Sequence, residues 1–140
     1  MATISSDSRS IEEHILRLLI PEDIIERFEL NRIIENDTEL LFDLTEKETY
    51  IPKELTGKEA VLNGYMKSST LQSYPQKGKH CYINLQRRRW KEKGSPDNKS
   101  YHNEYEFTAS GTMATKSFGA FLKRNSLIAI PSHLAQSLQY

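Results

Sequence analysis

Apolar side chains occupy every second position of residues 81–86, and this pattern limits the fold more than any other in the chain. In an extended strand, Cys81, Ile83 and Leu85 lie on one face and the intervening side chains lie on the other. The preceding residues 77–79, Lys-Gly-Lys, are typical of a tight turn. The segment therefore predicts a strand with one buried face, and the chain must supply a sheet around it.

The same strand is predicted to run without a break into residues 87–90, three arginines followed by a tryptophan. Residues 91–101 are rich in Lys, Gly, Ser, Pro, Asp and Asn, which is the composition of a loop. Residues 105–109 alternate again between apolar and polar. These two alternating segments predict a β-hairpin whose first strand is basic.

The N-terminal part predicts two short helices. Residues 10–13 form a capping-box pattern, and Pro21 suits the first position of a second helix. Apolar residues recur at helical spacing, which predicts that they face the core: Ile11, Ile15, Leu18, Leu19, Ile24, Ile25 and Phe28.

Turn signals and periodicity place the remaining elements. Asn36-Asp37 predicts the turn of a hairpin, residues 46–57 read as a connector, and residues 60–66 are a strand candidate. A helix is predicted after Gly111, and it ends near Asn125.

The predicted fold class is α+β, with one domain over residues 10–125. It consists of N-terminal helices, an antiparallel sheet of four or five strands with a basic β-hairpin, and one or two C-terminal helices. Residues 1–9 are predicted to be disordered. Residues 126–140 are predicted to be a tail that can form a short last helix.

Acidic and basic residues are separated along the chain, although its formal net charge is zero. Residues 1–60 hold 15 acidic and 7 basic side chains, a balance of −8, and residues 61–140 hold 4 and 12, a balance of +8. This separation indicates one side that faces a polyanion and another that faces something else. The alternative is that the halves attract each other within one fold, although an exposed ion pair contributes only about 0–1 kcal/mol.

The strongest local signal is a basic cluster between residues 67 and 99, with nine basic and two acidic side chains. Guanidinium groups bind phosphates bidentately, lysines add point charges, and a tryptophan can stack on a base. A two-stranded ribbon also fits the major groove of DNA. The candidate nucleic-acid-binding residues are therefore Lys77, Lys79, Arg87, Arg88, Arg89, Trp90, Lys91 and Lys93.

A purely structural interpretation of this cluster stays open. In the predicted hairpin, Arg88 lies opposite Glu104, and such a pair stabilises a ladder by about 0.2–1 kcal/mol. Arg87 and Arg89 would then lie at the rim of the apolar face, and Trp90 would belong to the core.

A second, smaller basic patch is formed by Lys116, Lys123 and Arg124 on the predicted last helix. These three are also candidate nucleic-acid contacts. The alternative is that cations in a last helical turn complement the helix dipole.

The sequence gives little support to catalysis. The four histidines show no pairing with cysteine at the spacing of a zinc site, and the chain has no glycine-rich phosphate loop. Cys81 lies among apolar residues and is expected to be an inert core thiol. We therefore expect no enzyme activity, no cofactor and no metal. Without a long apolar run or a signal-like N-terminus, we also expect a cytoplasmic protein that is not in the membrane.

Several short motifs follow one another in a fixed order. They are Gly57-Lys58, Gly64-Tyr65, Leu71-Gln72, Tyr74-Pro75, Lys77-Gly78-Lys79, Tyr82-Ile83-Asn84-Leu85, Arg87-Arg88-Arg89-Trp90, Ala109-Ser110-Gly111-Thr112 and Thr115-Lys116-Ser117-Phe118-Gly119-Ala120-Phe121-Leu122-Lys123. Residues 19–22 and 28–30 match in style. In this order the chain resembles the N-terminal region proteins of insertion-sequence transposases, the ISAon-type group, over roughly 100 of its 140 residues.

This resemblance implies a non-catalytic module that helps a transposase to recognise the DNA ends of its element. The catalytic DDE domain would lie in a separate partner chain, and the protein would associate with the nucleoid. More distant transposases hold the corresponding hairpin with a cysteine-ligated zinc, whereas Cys81 stands alone here. Ser73 replaces an expected aspartate, and the tail after Asn125 departs from the family.

Two functional hypotheses follow. The first is a DNA-binding accessory region of a transposase. The second is a protein-interaction adaptor whose acidic N-terminal half docks a partner, in which case the arginine strand is structural.

Overall fold

The computed structural model describes residues 10–109 and 112–125. The predicted disordered N-terminus, residues 1–9, and the predicted tail, residues 126–140, lie outside the described residues. None of the described helices is long and apolar enough to cross a membrane.

Two short helices open the described chain, as predicted: α1 (Ile11–Leu19) and α2 (Glu22–Ile25). The Ser10 side chain caps α1 by accepting a hydrogen bond from the Glu13 backbone N–H at 3.1 Å. Pro21 is the N-cap of α2 rather than its first helical residue. Its fixed φ and missing N–H separate the two helices.

The prediction that the apolar side of α1 faces the core is only partly right. Ile24, Ile25 and Phe28 are buried, and Leu16 and Leu19 pack against the core. In contrast, three predicted core residues are exposed, Ile11 at 77%, Ile15 at 48% and Leu18 at 72%. The apolar face of α1 is wider than the area that the domain covers, so its outer part stays in solvent.

Six strands form two sheets: β1 (Phe28–Glu35), β2 (Glu39–Glu46), β3 (Ala60–Tyr65), β4 (Ser69–Gln76), β5 (Lys79–Gln86) and β6 (Arg88–Glu92). The large sheet has the order β1-β2-β5-β4, and the small sheet pairs β3 with β6. Together with the helices, they confirm the α+β class. The large sheet is mixed rather than wholly antiparallel, because β2 and β5 run parallel while the β1–β2 and β4–β5 pairs are antiparallel.

Both tight hairpins of the large sheet have turns that the sequence predicts. In the first, the Asn36 side chain accepts hydrogen bonds from the backbone N–H groups of Thr38 and Glu39. In the second, Lys77 and Gly78 both have positive φ, 52° and 70°, as a two-residue hairpin loop requires. Lys77 and Lys79 therefore lie at the β4–β5 turn, in a hairpin other than the predicted basic one.

The hairpin predicted between residues 81–90 and 105–109 is wrong. β5 ends at Gln86, and β6 starts at Arg88 in the other sheet. Residues 105–109 form no strand and make only an isolated bridge at Thr108. Pairing of β5 with β2 stops at Gln86, and the next backbone N–H available, that of Arg88, donates to the Glu46 side chain instead.

The core lies on one face of the large sheet. Phe42, Leu44, Ile83 and Leu85 are buried there, as the alternation in β5 predicts. Phe107 joins this core from a loop, and its ring packs edge-on against Phe28 at 5.8 Å between centroids.

The last helix, α3 (Lys116–Asn125), confirms the predicted helix that ends near Asn125. It is anchored beside β4, because the ring of Phe118 lies 5.1 Å from that of Tyr74. The Tyr74 hydroxyl also donates to the Ser117 carbonyl at 2.9 Å. The Phe121 ring also lies 5.5 Å from that of Tyr74, so two aromatic contacts and one hydrogen bond to Tyr74 hold the helix beside β4.

Candidate nucleic-acid interface

Strand alternation divides the residues of β6 between two faces. Trp90 points inward and is only 6% exposed. Its backbone exchanges two hydrogen bonds with Tyr101, at 2.8 and 2.7 Å, which adds a third backbone segment beside β3 and β6. In this conformation, Trp90 anchors the strand, as the structural interpretation expects, and does not offer its ring to a base.

Arg88 shares the inner side of β6 with Trp90, and its side chain is 12% exposed. Its backbone N–H donates to Glu46 Oε1 at 2.9 Å, and its Nε donates to the Glu46 carbonyl oxygen at 2.7 Å. Glu48 lies 3.8 Å from the guanidinium, which also stacks 5.7 Å above the Tyr65 ring. Every face of this guanidinium is thus in contact with its own domain.

Arg87 lies between the two sheets and is also held within the domain. Its Nη1 donates to the Asn103 carbonyl oxygen at 2.9 Å and lies 3.2 Å from Glu104 Oε2. Glu104 therefore pairs with Arg87 and not, as predicted, with Arg88. The neighbouring His102 ring, followed by Arg87, holds the pKa of Glu104 below its usual value.

Two of the candidate lysines have carboxylate partners near the surface. Lys79 Nζ lies 2.8 Å from Glu35 and lowers the pKa of that carboxyl group. Lys93 Nζ lies 3.4 Å from Glu59, and both side chains are well exposed, at 64% and 69%. Such an exposed pair is weak and can exchange its partner.

Arg89 and Lys91 differ from these residues, because each binds a neutral oxygen. Arg89 Nη2 donates to the Tyr65 carbonyl at 3.3 Å, and Lys91 Nζ donates to Asn98 Oδ1 at 3.1 Å. Within residues 10–109 and 112–125, neither cation has a carboxylate within 4.0 Å. Lys93 follows in the turn directly after β6, and we call Arg89, Lys91 and Lys93 the β6 basic face.

The surroundings of the β6 basic face are polar. The Asn63 side chain of β3 donates to Ser100 Oγ at 2.8 Å, and Lys99 lies 5.3 Å from the Tyr101 ring. Amide, hydroxyl and ammonium groups of this kind are the ones that bind phosphate oxygens and sugars in nucleic-acid complexes.

The remaining candidate cations lie apart from β6. Lys77 is exposed at the β4–β5 turn. Lys116 is exposed at the first position of α3, while Lys123 and Arg124 are exposed in its last turn, where they complement the helix dipole. The structure does not join these residues to the β6 basic face through any hydrogen bond or ion pair between described residues.

The most highly connected polar residue in this region, Glu46, was not predicted as a candidate. It is fully buried, with an exposed fraction of 0%. Its Oε2 accepts from Asn103 Nδ2 at 3.0 Å and from the Tyr105 hydroxyl. The sequence carries no signal for this role, because a glutamate at the start of a polar connector is ordinarily solvated.

Comparison of the chain with protein-family models, with curated proteins and with solved structures gives no significant match.

Proposed function

We propose that this domain binds DNA through the β6 basic face, as the non-catalytic N-terminal or accessory region of an insertion-sequence transposase. The observation that carries the proposal is the state of Arg89 and Lys91, two cations of one strand face that bind only neutral oxygens among residues 10–109 and 112–125. No carboxylate of this described part of the chain neutralises their charges, so they are available to a polyanion.

Electrostatics favours these two residues over their neighbours. Moving Arg89 from a carbonyl to a phosphate exchanges a neutral acceptor for a charged one, and charge-assisted hydrogen bonds are about twice as strong. Moving the Arg88 side chain would break its hydrogen bond to the Glu46 carbonyl oxygen and its contacts with Glu48 and the Tyr65 ring. We therefore assign Arg89 and Lys91 to DNA and Arg87 and Arg88 to the fold.

Lys93 completes the proposed site as a third contact. Its ion pair with Glu59 is solvent-exposed on both sides. A phosphate can therefore replace the carboxylate at small cost. Lys77, Lys79, Lys116, Lys123 and Arg124 are additional DNA contacts in this proposal, at the β4–β5 turn and on α3, apart from the β6 basic face.

The transposase part of the proposal rests on the resemblance given above. In this reading, the DNA ligand is the end of the mobile element, the partner is a separate DDE catalytic chain, and the complex resides on the nucleoid. A reading frame next to this one that encodes a DDE domain would support that part. A neighbouring frame of another class would count against it and leave the DNA site to be judged by binding alone.

Salt-dependent anisotropy with a random duplex tests the DNA site. We expect log K to fall linearly with log salt between about 50 and 200 mM, because phosphate contacts release counterions. Arg89→Gln with Lys91→Gln should reduce the slope by about 2 and weaken binding several-fold at low salt. Arg32→Gln with Lys53→Gln is the matched control, since it removes one arginine and one lysine from β1 and from the 3-10 turn at Lys53–Leu55.

Two outcomes would contradict the site. Equal losses in the two double variants would mean that net charge alone attracts DNA. Unchanged binding in Arg89→Gln with Lys91→Gln, with a normal unfolding midpoint, would exclude the β6 basic face. Absence of any salt slope would exclude the phosphate mechanism altogether.

A further inference from the structure

The apolar face of α1 extends beyond the area that the domain covers. Ile11, Ile15 and Leu18 follow the i, i+4, i+7 spacing, so with 3.6 residues per turn they occupy an arc of about 60°. They are 77%, 48% and 72% exposed, whereas Leu16 and Leu19 on the adjoining side pack against the core. We call Ile11, Ile15 and Leu18 the α1 stripe.

The spacing of the α1 stripe is that of a helix-pairing seam. A separation of four residues followed by three corresponds to successive d, a and d positions of a heptad, which insert between the side chains of a facing helix. The stripe is short, because a helix of nine residues is only about 14 Å long. It therefore suits the addition of one amphipathic helix rather than a large flat interface.

The charge around the stripe determines which helix fits. Helices α1 and α2 carry four acidic side chains, Glu12, Glu13, Glu22 and Asp23, and one basic side chain, Arg17, a balance of −3. On α1 itself, Glu12 is exposed with no cation within 4.0 Å among the described residues, and Arg17 is already engaged by Glu13 and Glu22. Two copies of this chain would bring two such acidic surfaces together, and like charges across a contact are unfavourable.

We propose that the α1 stripe docks an amphipathic helix of a partner protein whose apolar stripe is flanked by lysine or arginine. The partner's apolar residues cover Ile11, Ile15 and Leu18, and its cations face Glu12 and the acidic surface beside it. This surface is separate from the β6 basic face, and the proposal does not depend on DNA binding.

A synthetic peptide supplies a defined probe. The probe is a fluorescent helix of about four turns, ~14 residues, with leucine at the seam and lysine elsewhere. We expect saturable binding to the full chain by anisotropy, weakened at least tenfold by Ile11→Ser with Leu18→Ser. Both side chains are exposed, so the unfolding midpoint should stay unchanged; if the double variant does unfold, Ile11→Ser alone, at the most exposed position, replaces it.

Matched controls separate the stripe from general attraction. Ile33→Ser with Met113→Ser removes two other exposed apolar side chains, 52% and 62% exposed, and should bind the probe like the parent chain. A peptide of the same composition with its leucines scattered around the helix should bind weakly. A peptide with glutamate in place of lysine should also bind weakly, because its charges repel the acidic surface.

Three results would overturn the proposal. Equal binding of the scattered peptide, or of the stripe variant, would show that charge alone attracts the probe. Equal binding of the glutamate peptide would remove the argument from charge. If the parent chain is a dimer in sedimentation equilibrium and the stripe variant is a monomer, the stripe binds a second copy of the chain instead. The DNA affinity of the stripe variant should not change. If the helix-docking proposal fails, the DNA proposal is therefore unaffected, and failure of the DNA proposal likewise leaves the helix-docking proposal unaffected.

Discussion

The backbone N–H of Arg88 donates to the Glu46 carboxylate at 2.9 Å, while the Arg88 guanidinium donates back to the Glu46 carbonyl at 2.7 Å. Glu46 is the last residue of β2 and Arg88 the first of β6, so this reciprocal pair joins the large sheet to the small one. It also explains why the positive charge of Arg88 is directed inward. The β6 basic face is thus held in place by a residue that does not contribute to it.

Buried Glu46 is satisfied from several directions. The Tyr105 hydroxyl and Asn103 Nδ2 donate to the same carboxylate oxygen, Oε2. Burial, and then the hydrogen bond to Glu46, raise the pKa of Tyr105 well above its ordinary value. The phenol therefore stays protonated and remains a donor.

We expect Glu46→Ala to lower the free energy of unfolding by about 3–5 kcal/mol, because it leaves the Arg88 backbone N–H, the Asn103 amide and the Tyr105 hydroxyl without their acceptor. Urea unfolding followed by tryptophan fluorescence measures this loss, since Trp90 lies in the affected sheet. Glu48→Ala is the matched control. Glu48 also lies near Arg88, at 3.8 Å, but its side chain is 80% exposed, so the change should stay below about 1 kcal/mol.

Similar effects of the two substitutions would contradict this assignment. They would mean that the hydrogen bonds of the buried Glu46 carboxylate stabilise the domain no more than an exposed carboxylate beside Arg88 does.

Local signals predicted the elements whose neighbours in sequence are also neighbours in space. The Asn36 turn specifies the β1–β2 hairpin, Lys77-Gly78 specifies the turn before β5, and the alternation along β5 specifies its buried face, whereas β4 itself was not predicted. The periodicity of Phe118 and Phe121 likewise predicted α3. In each case a single short segment contains all the information needed.

Long-range contacts were not predictable in this way. The parallel pairing of β2 with β5 joins segments about 40 residues apart and leaves no local pattern. The break at Arg87 depends on the buried Glu46, which belongs to another strand. The exposure of Ile11 and Leu18 depends on how far the domain extends over α1, which periodicity alone does not reveal.

The same distinction applies to the candidate site. The sequence located the basic cluster, but three adjacent arginines look alike in a sequence. The structure separates them, because Arg87 and Arg88 have carboxylate partners while Arg89 has a carbonyl. The partners of the three arginines come from β2, β3 and a loop. Because these segments are distant in sequence, no spacing rule could have made this distinction.

Charge separation between the halves of the chain has two consequences in the structure. Part of it is neutralised internally, since three ion pairs join a carboxylate before position 60 to a cation after it: Lys79–Glu35, Arg88–Glu48 and Lys93–Glu59. The rest stays on the surface, acidic around α1 and basic at β6. Attraction between the halves therefore explains the paired residues, and the unpaired charges are the ones on which the DNA proposal depends.

Close packing at Gly119 allows a second stability prediction. A Cβ at this position would lie 2.3 Å from the Ala109 Cβ, so α3 and the preceding loop would have to move apart. We expect Gly119→Ala to destabilise the domain by about 1–3 kcal/mol. Without the clash, the same change inside a helix would stabilise by about 0.5–1 kcal/mol. Thermal unfolding by circular dichroism distinguishes the two signs.

The double variant Gly119→Ala with Ala109→Gly serves as the control, because it moves the methyl group from one side of the contact to the other. We expect it to recover most of the stability lost in the single variant. If the stability changes of the two single substitutions simply add in the double variant, the two residues do not contact each other.

Stability at alkaline pH should depend on Cys81. This thiol is 1% exposed in the core, and burial raises its pKa from 9.0 to about 11. The folded state keeps the proton while the unfolded state loses it above pH 9, so stability is full below pH 9 and declines as the pH rises toward 11.

Between about pH 8 and pH 10, the parent chain should lose about 1 kcal/mol more than Cys81→Ala, measured by urea unfolding at each pH. The cavity that Cys81→Ala creates lowers the stability equally at every pH, so it cancels when the pH dependences of the two chains are compared. The tyrosines and lysines titrate alike in both chains and cancel in the same way. Parallel losses in the two chains would show that the Cys81 thiol is accessible to solvent in the folded state.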